Sequence, residues 1–182
     1  QAKGGFGQDG VYMPEYYYDK DNGRKVTKAG FVKDNRGLTY YLDEKGEKVL
    51  GLHEINGDLY YFRRGGAYKY TQLGDMWQDS INYIDGKIYY FGHDGRAIKN
   101  RFYQWGNDWY YFYADGTAAT GAVQINGQKL YFDKNHGRQV KGAFAPDGHY
   151  YDENSGELVT NQTRTIKGVT YHFDENGNAT KV

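Results

Sequence analysis

Cysteine is absent from this chain of 182 residues, and proline, methionine and serine are scarce, with two residues of each. The missing cysteines exclude disulfide bonds, thiolate metal ligands and a cysteine nucleophile. An excess of charge is missing too, because 23 Lys and Arg balance 23 Asp and Glu. A neutral chain offers no general electrostatic attraction to nucleic acid or an anionic membrane. No apolar run approaches the ~20 residues of a transmembrane helix.

Aliphatic residues are also too few for an ordinary hydrophobic core. Hydrophobic residues make up 38% of the chain and nearly half of these are aromatic, whereas average soluble domains are roughly 45–50% apolar. An aromatic content of 18% is nevertheless far too high for a disordered chain. The 21 Tyr and 26 Gly together indicate many small units that each bury a few rings, so internal repeats are expected.

Eight segments of the chain share one plan: an aromatic run, a polar turn that ends in glycine, and a short following segment. The turn glycines are Gly23, Gly46, Gly66, Gly95, Gly116, Gly137, Gly156 and Gly177. They recur about every 20 residues, except where the stretch 72–83 interrupts the period. We predict one repeat domain over 1–182, with an incomplete repeat at 1–15, eight units at 16–182 and an insertion at 72–83.

Each unit has the signals of a β-hairpin. A run such as Tyr89-Tyr90-Phe91 has strand propensity and lacks the helical period. A glycine turn then leads to a short strand with an aliphatic third residue, and a second turn such as Ile-Asn-Gly leads to the next unit. A lone hairpin is marginal in water, so the hairpins must stack. The predicted fold is all-β, a solenoid of about eight stacked hairpins of ~20 residues.

Catalytic patterns are weak in this sequence. The two serines are Ser80 and Ser155, and the second lies inside a hairpin turn. The histidines form no ligand-like i,i+3 or i,i+4 pair. Aspartates recur at the place that opens the turn, where a carboxylate caps backbone N–H groups; they are Asp43, Asp133, Asp152 and Asp174. We therefore predict no catalytic residue, metal or cofactor in this chain.

Binding patterns are stronger, because rows of Tyr and Trp alternate with Gln, Asn, Lys and Asp. The C–H faces of pyranose rings stack on aromatic rings, and sugar hydroxyls need paired donors and acceptors. About half of each aromatic run must face inward in a strand, so each Tyr of a pair has even odds of being core.

The pattern Gly-x-x-Tyr-Tyr-Phe-Asp-x-x-Gly, with the link at 122–142, resembles cell-wall-binding or glucan-binding repeats. Over 11–182 it is similar to the glucan-binding domain (domain V) of glucansucrases of glycoside hydrolase family 70. The resemblance implies a non-catalytic, monomeric module that binds α-glucan such as dextran or isomalto-oligosaccharides. It also implies a parent enzyme that a Gram-positive bacterium secretes or holds at its surface, and that makes α-glucan from sucrose.

The same resemblance implies a sugar pocket between the fifth and sixth units. Tyr110 or Tyr111 would stack on the sugar. The hydrogen-bonding residues would be Thr120, Gln124 and Lys129, with Tyr131 on the following hairpin. Second-tier candidates are Tyr89 with Lys87, Tyr40 with Lys48, and Tyr150 with Thr160.

Two alternatives remain open. Related repeats bind choline through cation–π cages, but the Gly-Trp place of that pattern holds Phe31, Leu52, Ala122 and Ala143. Of the rings expected before Tyr-Tyr, only Trp109 fits, which leaves one isolated choline site near Trp105 and Trp109, or attachment to another wall polymer. A structural spacer that binds nothing is the other alternative.

Overall fold

The computed structural model describes residues 3–8, 15–65 and 73–182, which form 17 strands and no helix. The strands are β1 (Gly5–Gln8), β2 (Glu15–Tyr18), β3 (Gly30–Lys33), β4 (Thr39–Leu42), β5 (Gly51–Ile55), β6 (Asp58–Phe62), β7 (Ser80–Ile84), β8 (Lys87–Phe91), β9 (Arg101–Trp105), β10 (Asp108–Phe112), β11 (Gly121–Ile125), β12 (Gln128–Phe132), β13 (Ala143–Phe144), β14 (Tyr150–Tyr151), β15 (Gln162–Ile166), β16 (Val169–Phe173) and β17 (Ala179–Lys181). In these ranges nothing resembles a membrane-spanning helix. The prediction of an all-β chain of repeated hairpins is confirmed.

Consecutive strands pair into antiparallel hairpins, and β17 joins the last of them as a third strand. Several hairpins turn on two residues that both have positive φ, such as Asn56-Gly57 (53° and 86°) and Asn126-Gly127 (51° and 84°). This is the geometry of a type I′ turn, whose twist matches that of the paired strands and which favours Asn-Gly. The link between repeats is thus the turn of the main hairpin, and the strands on either side of that link form the long ladder.

In most repeats the segment after the aromatic strand is shorter than the short strand that was predicted, whereas in the last repeat it is the strand β17. In the fifth repeat (109–121) the segment contributes one bridging residue, Ala118, opposite Phe112. The next N–H, that of Ala119, donates to the carbonyl of Tyr111 in the same hairpin at 2.8 Å.

A second backbone bond stitches each repeat to the one before it. The N–H of Ala118 donates to the carbonyl of Ile88, on the preceding hairpin, at 2.8 Å. Equivalent bonds join Gln139 to Trp109 and Leu158 to Lys129, both at 2.8 Å, as well as Met76 to Thr39 and Ala97 to Leu59. In four of these five bonds the acceptor is the residue just before a Tyr-Tyr pair, and in the fifth Lys129 precedes Leu130-Tyr131. One backbone carbonyl at an equivalent place thus fixes the stacking of each of these repeats.

The stretch 72–83, predicted to be an insertion, is described from residue 73 onward. Ser80–Ile84 is a strand, and the N–H of Met76 donates to the carbonyl of Thr39 on the preceding hairpin. The N–H of Gly74 donates to the carbonyl of Arg63 at 2.8 Å. The predicted turn glycine Gly66 falls outside the described residues. At the start of the chain, β1 completes a hairpin with β2.

The chain forms two compact units, residues 1–82 with 90–97 and residues 83–89 with 98–182. In the second unit, one core cluster consists of Ala119, Ile125, Leu130 and Phe132, and another of Tyr150, Val159 and Phe173. The final ring of an aromatic run is fully buried in both units, at Phe62, Phe91, Phe112, Phe132 and Phe173. Each small cluster belongs to neighbouring repeats, which is how a chain poor in aliphatics builds a core.

Candidate functional site

Three grooves of the second unit lie at equivalent places in successive repeats. Groove I lies beside Ile88, groove II beside Trp109 and groove III beside Lys129, with volumes of about 180, 270 and 460 Å³. These are the three residues of this unit whose carbonyls accept the stitching bonds. Each of these bonds holds the short segment of the next repeat against the strand that contains the acceptor. The side chains on either side of the bond therefore form the walls of the groove. The same backbone feature therefore creates each groove, and the side chains give each its chemistry.

Groove I presents one exposed ring and several hydroxyl and amide groups. The side chain of Tyr83 is 57% exposed. Thr117 and Thr120 flank the short segment on one side of the groove, and Lys134 and Asn135 come from the turn of the following repeat. The floor beside Ile88 is apolar. A ring, an aliphatic floor and neutral polar groups are thus close together at the surface.

Groove II is floored by an indole. Trp109 is 37% exposed, and the groove also includes Phe102, Gln128, Gln139 and Lys141. The ammonium of Lys141 lies 5.7 Å from the centroid of the indole, within the range of a cation–π contact. That ammonium also donates to the backbone carbonyl of Asn154 at 2.9 Å, which holds it in place. The groove combines an aromatic face, two amides and a fixed cation.

Groove III contains a polar pair on the exposed face of one hairpin. Gln124 lies directly opposite Lys129 in the ladder of β11 and β12, and both side chains are exposed. The far wall includes His149 and Tyr151. The hydroxyl of Tyr151 donates to a carboxylate oxygen of Asp147 at 2.7 Å. Burial and this hydrogen bond raise the pKa of Tyr151 above its usual range, so the phenol stays neutral.

A fourth groove of about 430 Å³, here called the junction groove, lies between the turns of two repeats. It is lined by Ala122, Tyr131, Asp133, Lys134, Asn135, Pro146 and Asp147. Lys134 and Asn135 also line groove I, and Ala122 and Asp147 also line groove III. The junction groove therefore borders both.

The six residues predicted for the sugar pocket are divided between these places. Gln124 and Lys129 come together in groove III, whereas Thr120 lies in groove I and Tyr131 is a nearly buried wall of the junction groove. The remaining two are Tyr110, which is 1% exposed, and Tyr111, which is half-buried with its ring 5.0 Å from that of Phe102. In this structure the ring of Tyr110 has no open face for stacking.

The second-tier residues are mostly internal. Tyr40, Tyr89 and Tyr150 are buried, and Thr160 is half-buried. Lys48 pairs with Glu15 at 2.7 Å, and its ammonium lies 3.8 Å from the centroid of the Phe6 ring. Lys87 is exposed and lines groove I, beside Thr120. Sequence reasoning missed Tyr83 as an exposed ring, although its place in the repeat, equivalent to that of Gln124, was the available signal.

Lysines of this chain already cover several aromatic faces. Besides Lys141 over Trp109, the ammonium of Lys25 lies 2.9 Å from the centroid of Tyr16. A quaternary ammonium ligand would compete with such an internal cation for the same ring face. Within residues 3–8, 15–65 and 73–182, no three His, Asp or Glu side chains come together in an arrangement that could hold a metal ion.

Two models of repeat families match parts of the chain. A choline-binding repeat matches residues 119–162, and a putative cell wall binding repeat matches residues 29–48, 100–118 and 164–179. These segments span several of the repeats identified above.

Sequence relatives are bacterial glucosyltransferases. The chain is 37% identical over 98% of its length to glucosyltransferase-S of Streptococcus mutans, and 37% identical over 87% of its length to glucosyltransferase-I of Streptococcus downei. It spans only 12% and 10% of the lengths of those two proteins. The match is therefore to the repeat region and excludes most of each relative.

Solved structures show the same arrangement of hairpins. Choline-binding protein F of Streptococcus pneumoniae aligns with 98% of this chain and 57% of its own, with a TM-score of 0.76 and 26% identity. The modular autolysin LytC of the same organism aligns with 93% of this chain and 37% of its own, with a TM-score of 0.68 and 22% identity. The second of these likenesses concerns the fold alone.

Proposed function

The chain belongs to the family of glucosyltransferase repeat modules built from cell-wall-binding, choline-binding-type repeats, and on that basis we propose that it is a non-catalytic module that binds α-glucan. The sequence relatives that cover nearly the whole chain support this assignment. We infer that the parent protein is a glucosyltransferase that acts outside the cell or at its surface and makes α-glucan from sucrose. The module would hold the polymer near the catalytic part of that enzyme.

The observation that carries the proposal is the recurrence of one groove with sugar-binding chemistry. In groove II the part of the Trp109 indole that Lys141 leaves exposed can pack on the C–H face of a glucosyl unit. The amides of Gln128 and Gln139 each supply both a donor and an acceptor, as sugar hydroxyls require. In groove III, Gln124 and Lys129 offer the same pairing on the open face of a hairpin.

Several weak grooves suit a polymer better than a small ligand. Each groove is open to solvent and presents at most one exposed ring. A polymer bound in one groove reaches the next at high effective concentration, so overall affinity can exceed that of either groove by about 10²–10⁴-fold when the spacing fits. α-Glucan is a long repeating chain of one neutral sugar, which matches this arrangement.

A cell-wall attachment module that binds choline is the second candidate. The match to a choline-binding repeat over 119–162 and the likeness to choline-binding protein F favour it. Two features oppose it. Ala122 and Ala143 stand where the choline pattern has tryptophan, and the ammonium of Lys141 already covers Trp109.

Affinity electrophoresis in gels with and without dextran tests the proposal. We expect dextran to retard the wild-type chain, and we expect weaker retardation after Gln124→Ala, Lys129→Ala or Trp109→Ala. The matched controls are Thr165→Ala and Thr170→Ala. These threonines face each other at the same ladder positions of β15 and β16, bond to each other at 3.0 Å and line none of the four grooves.

Free choline, used as a competitor, distinguishes a glucan-binding module from a choline-binding attachment module. Free choline added to the gel should leave retardation by dextran unchanged. Wild-type mobility that is the same with and without dextran would refute glucan binding. Release of the chain from choline-bearing cell wall by free choline, together with unchanged mobility in dextran, would favour the attachment module.

A further inference from the structure

Grooves I and III are joined by the junction groove through residues that they share. Lys134 and Asn135 form a wall common to groove I and the junction groove. Ala122 and Asp147 form a wall common to the junction groove and groove III. All of these residues belong to the second unit. The three grooves are therefore neighbours along the surface, and we call their succession from Asn135 to Ala122 the passage.

The small side chain of Ala122 keeps this passage open. Ala122 lies opposite Tyr131 in the ladder of β11 and β12 and is exposed. At the equivalent place of the first unit, Phe31 lies opposite Tyr41 and packs against it with ring centroids 4.9 Å apart. A ring at position 122 would extend over Tyr131 in the same way and fill the floor of the junction groove. The methyl group leaves that volume of about 430 Å³ free.

The walls of the passage suit an uncharged chain of hydroxyl groups. Lys134 runs along the start of β11, with its Cε 3.6 Å from the point that a Cβ of Gly121 would occupy. The carboxylate of Asp133 is engaged with backbone N–H groups of its own turn, and that of Asp147 accepts the Tyr151 hydroxyl. The exposed amide of Asn135 offers both a donor and an acceptor. The passage thus has one lysine against two carboxylates that are already hydrogen-bonded, which is too small an excess of charge to select an ion.

We propose that the second unit binds an uninterrupted internal stretch of an α-glucan chain along one path, from groove I through the junction groove to groove III. This inference rests on the proposed function, because it takes glucan as the ligand. The ligand it identifies is an extended run of consecutive glucosyl units, with no need for a chain end. The three grooves act as parts of one site, whereas groove II, which shares no lining residue with them, binds separately.

Isothermal titration calorimetry with purified isomalto-oligosaccharides of three to nine units tests the path. For the wild-type chain we expect affinity to rise with length by at least about tenfold, since a longer chain occupies successive grooves together. Ala122→Phe should remove most of that rise, so that the longest oligosaccharide binds the variant about as tightly as the trimer does. Asn135→Phe, in an exposed turn, should block the passage at its other end with the same effect.

Thr163→Phe is the matched control. Thr163 is exposed and lies opposite His172 in the ladder of β15 and β16, as Ala122 lies opposite Tyr131, and neither residue of this pair lines any of the four grooves. Thr163→Phe should keep the wild-type length dependence. A rise with length that survives in both Ala122→Phe and Asn135→Phe would overturn the path and leave glucan binding intact. Absence of any binding by the wild-type chain would instead refute the proposed function. Far-UV circular dichroism of every variant checks that the hairpins are formed.

Discussion

The ion pair between Arg63 and Asp75 provides a quantitative test of how the first unit is held together. The backbone N–H of Arg63 also donates to the carbonyl of Asp75 at 3.0 Å. The guanidinium Nε donates to the carboxylate at 2.8 Å, and Nη2 contacts the other oxygen. The side chain of Asp75 is 2% exposed and that of Arg63 is 31% exposed. The pair thus ties the residue that follows β6 to the residue that precedes Met76.

The substitution Asp75→Asn keeps the shape of the side chain and removes its charge. Removing one partner of a buried pair costs about 3–5 kcal/mol, because the other charge is left without compensation. The partial exposure of Arg63 allows water to reach the freed guanidinium, so we expect about 2–3 kcal/mol. For a unit of this size that loss lowers the melting temperature by roughly 10–20 °C.

Urea denaturation with hydrogen exchange resolved by peptide is the assay. The loss should appear as faster exchange in peptides of β4 and β6, because Met76, just after the pair, bonds to the carbonyl of Thr39. Asp94→Asn is the control, since Asp94 is 63% exposed and lies 3.6 Å from Arg96. Exposed pairs contribute little, so its urea midpoint should match the wild type. Equal midpoints for the two variants would refute the assignment of a stabilising role to the buried pair.

Three further predictions follow from single positions. Gly127→Ala should cost about 1–2 kcal/mol, because φ is +84° although no heavy atom is near the added methyl group; an unchanged urea midpoint would contradict this. Lys141→Gln should remove the ammonium that competes with a quaternary ammonium for the indole of groove II, so that choline quenches tryptophan fluorescence in the variant and not in the wild type. If choline changes the fluorescence of neither protein, the lysine is not what prevents choline binding. The backbone N–H of Ser155 and the guanidinium of Arg164 hold the pKa of Asp152 well below its usual range. The stability that this carboxylate contributes is therefore present above the unfolded pKa of about 3.9 and is lost as the pH falls through the lower folded pKa. In the variant Asp152→Asn the urea midpoint should accordingly change less between pH 7 and pH 2 than it does in the wild type.

The hairpins could be predicted from sequence, but which turn closes each ladder was harder to assign. Both the Asp-to-Gly turns and the Ile-Asn-Gly links carry turn residues, and the aromatic run lies between them. The deciding feature is that Asn126-Gly127 supplies two consecutive residues that tolerate positive φ, as a two-residue hairpin requires. The longer turn after Asp133 is held by its side chain and needs no ladder beyond one bridge. The residue types in the turns therefore indicate which turn closes each ladder, whereas the repeat period alone does not.

Ring exposure could not be predicted within an all-aromatic run. In Trp109-Tyr110-Tyr111-Phe112 every position is apolar, so no polar residue marks the outer face. The structure buries Tyr110 and Phe112 and leaves Trp109 exposed, an alternation whose phase is fixed by the ladder register. On the neighbouring hairpin, Gln124 and Lys129 are polar residues among apolar ones, and both are exposed. That Gln124 and Lys129 lie on the same face of the hairpin could therefore be predicted from the alternation of polar and apolar residues.

The grooves differ because the fold fixes a backbone atom at each repeat and leaves the side chain free to vary. The carbonyls of Ile88, Trp109 and Lys129 accept equivalent bonds, yet their side chains are aliphatic, aromatic and cationic. A cage for a quaternary ammonium needs several rings at one such place, so this variation would abolish it from repeat to repeat. A neutral sugar chain needs only one face or a few hydrogen bonds in each groove, since its affinity accumulates along the polymer. Side-chain variation on a constant backbone is therefore compatible with glucan and opposes a set of repeated choline sites.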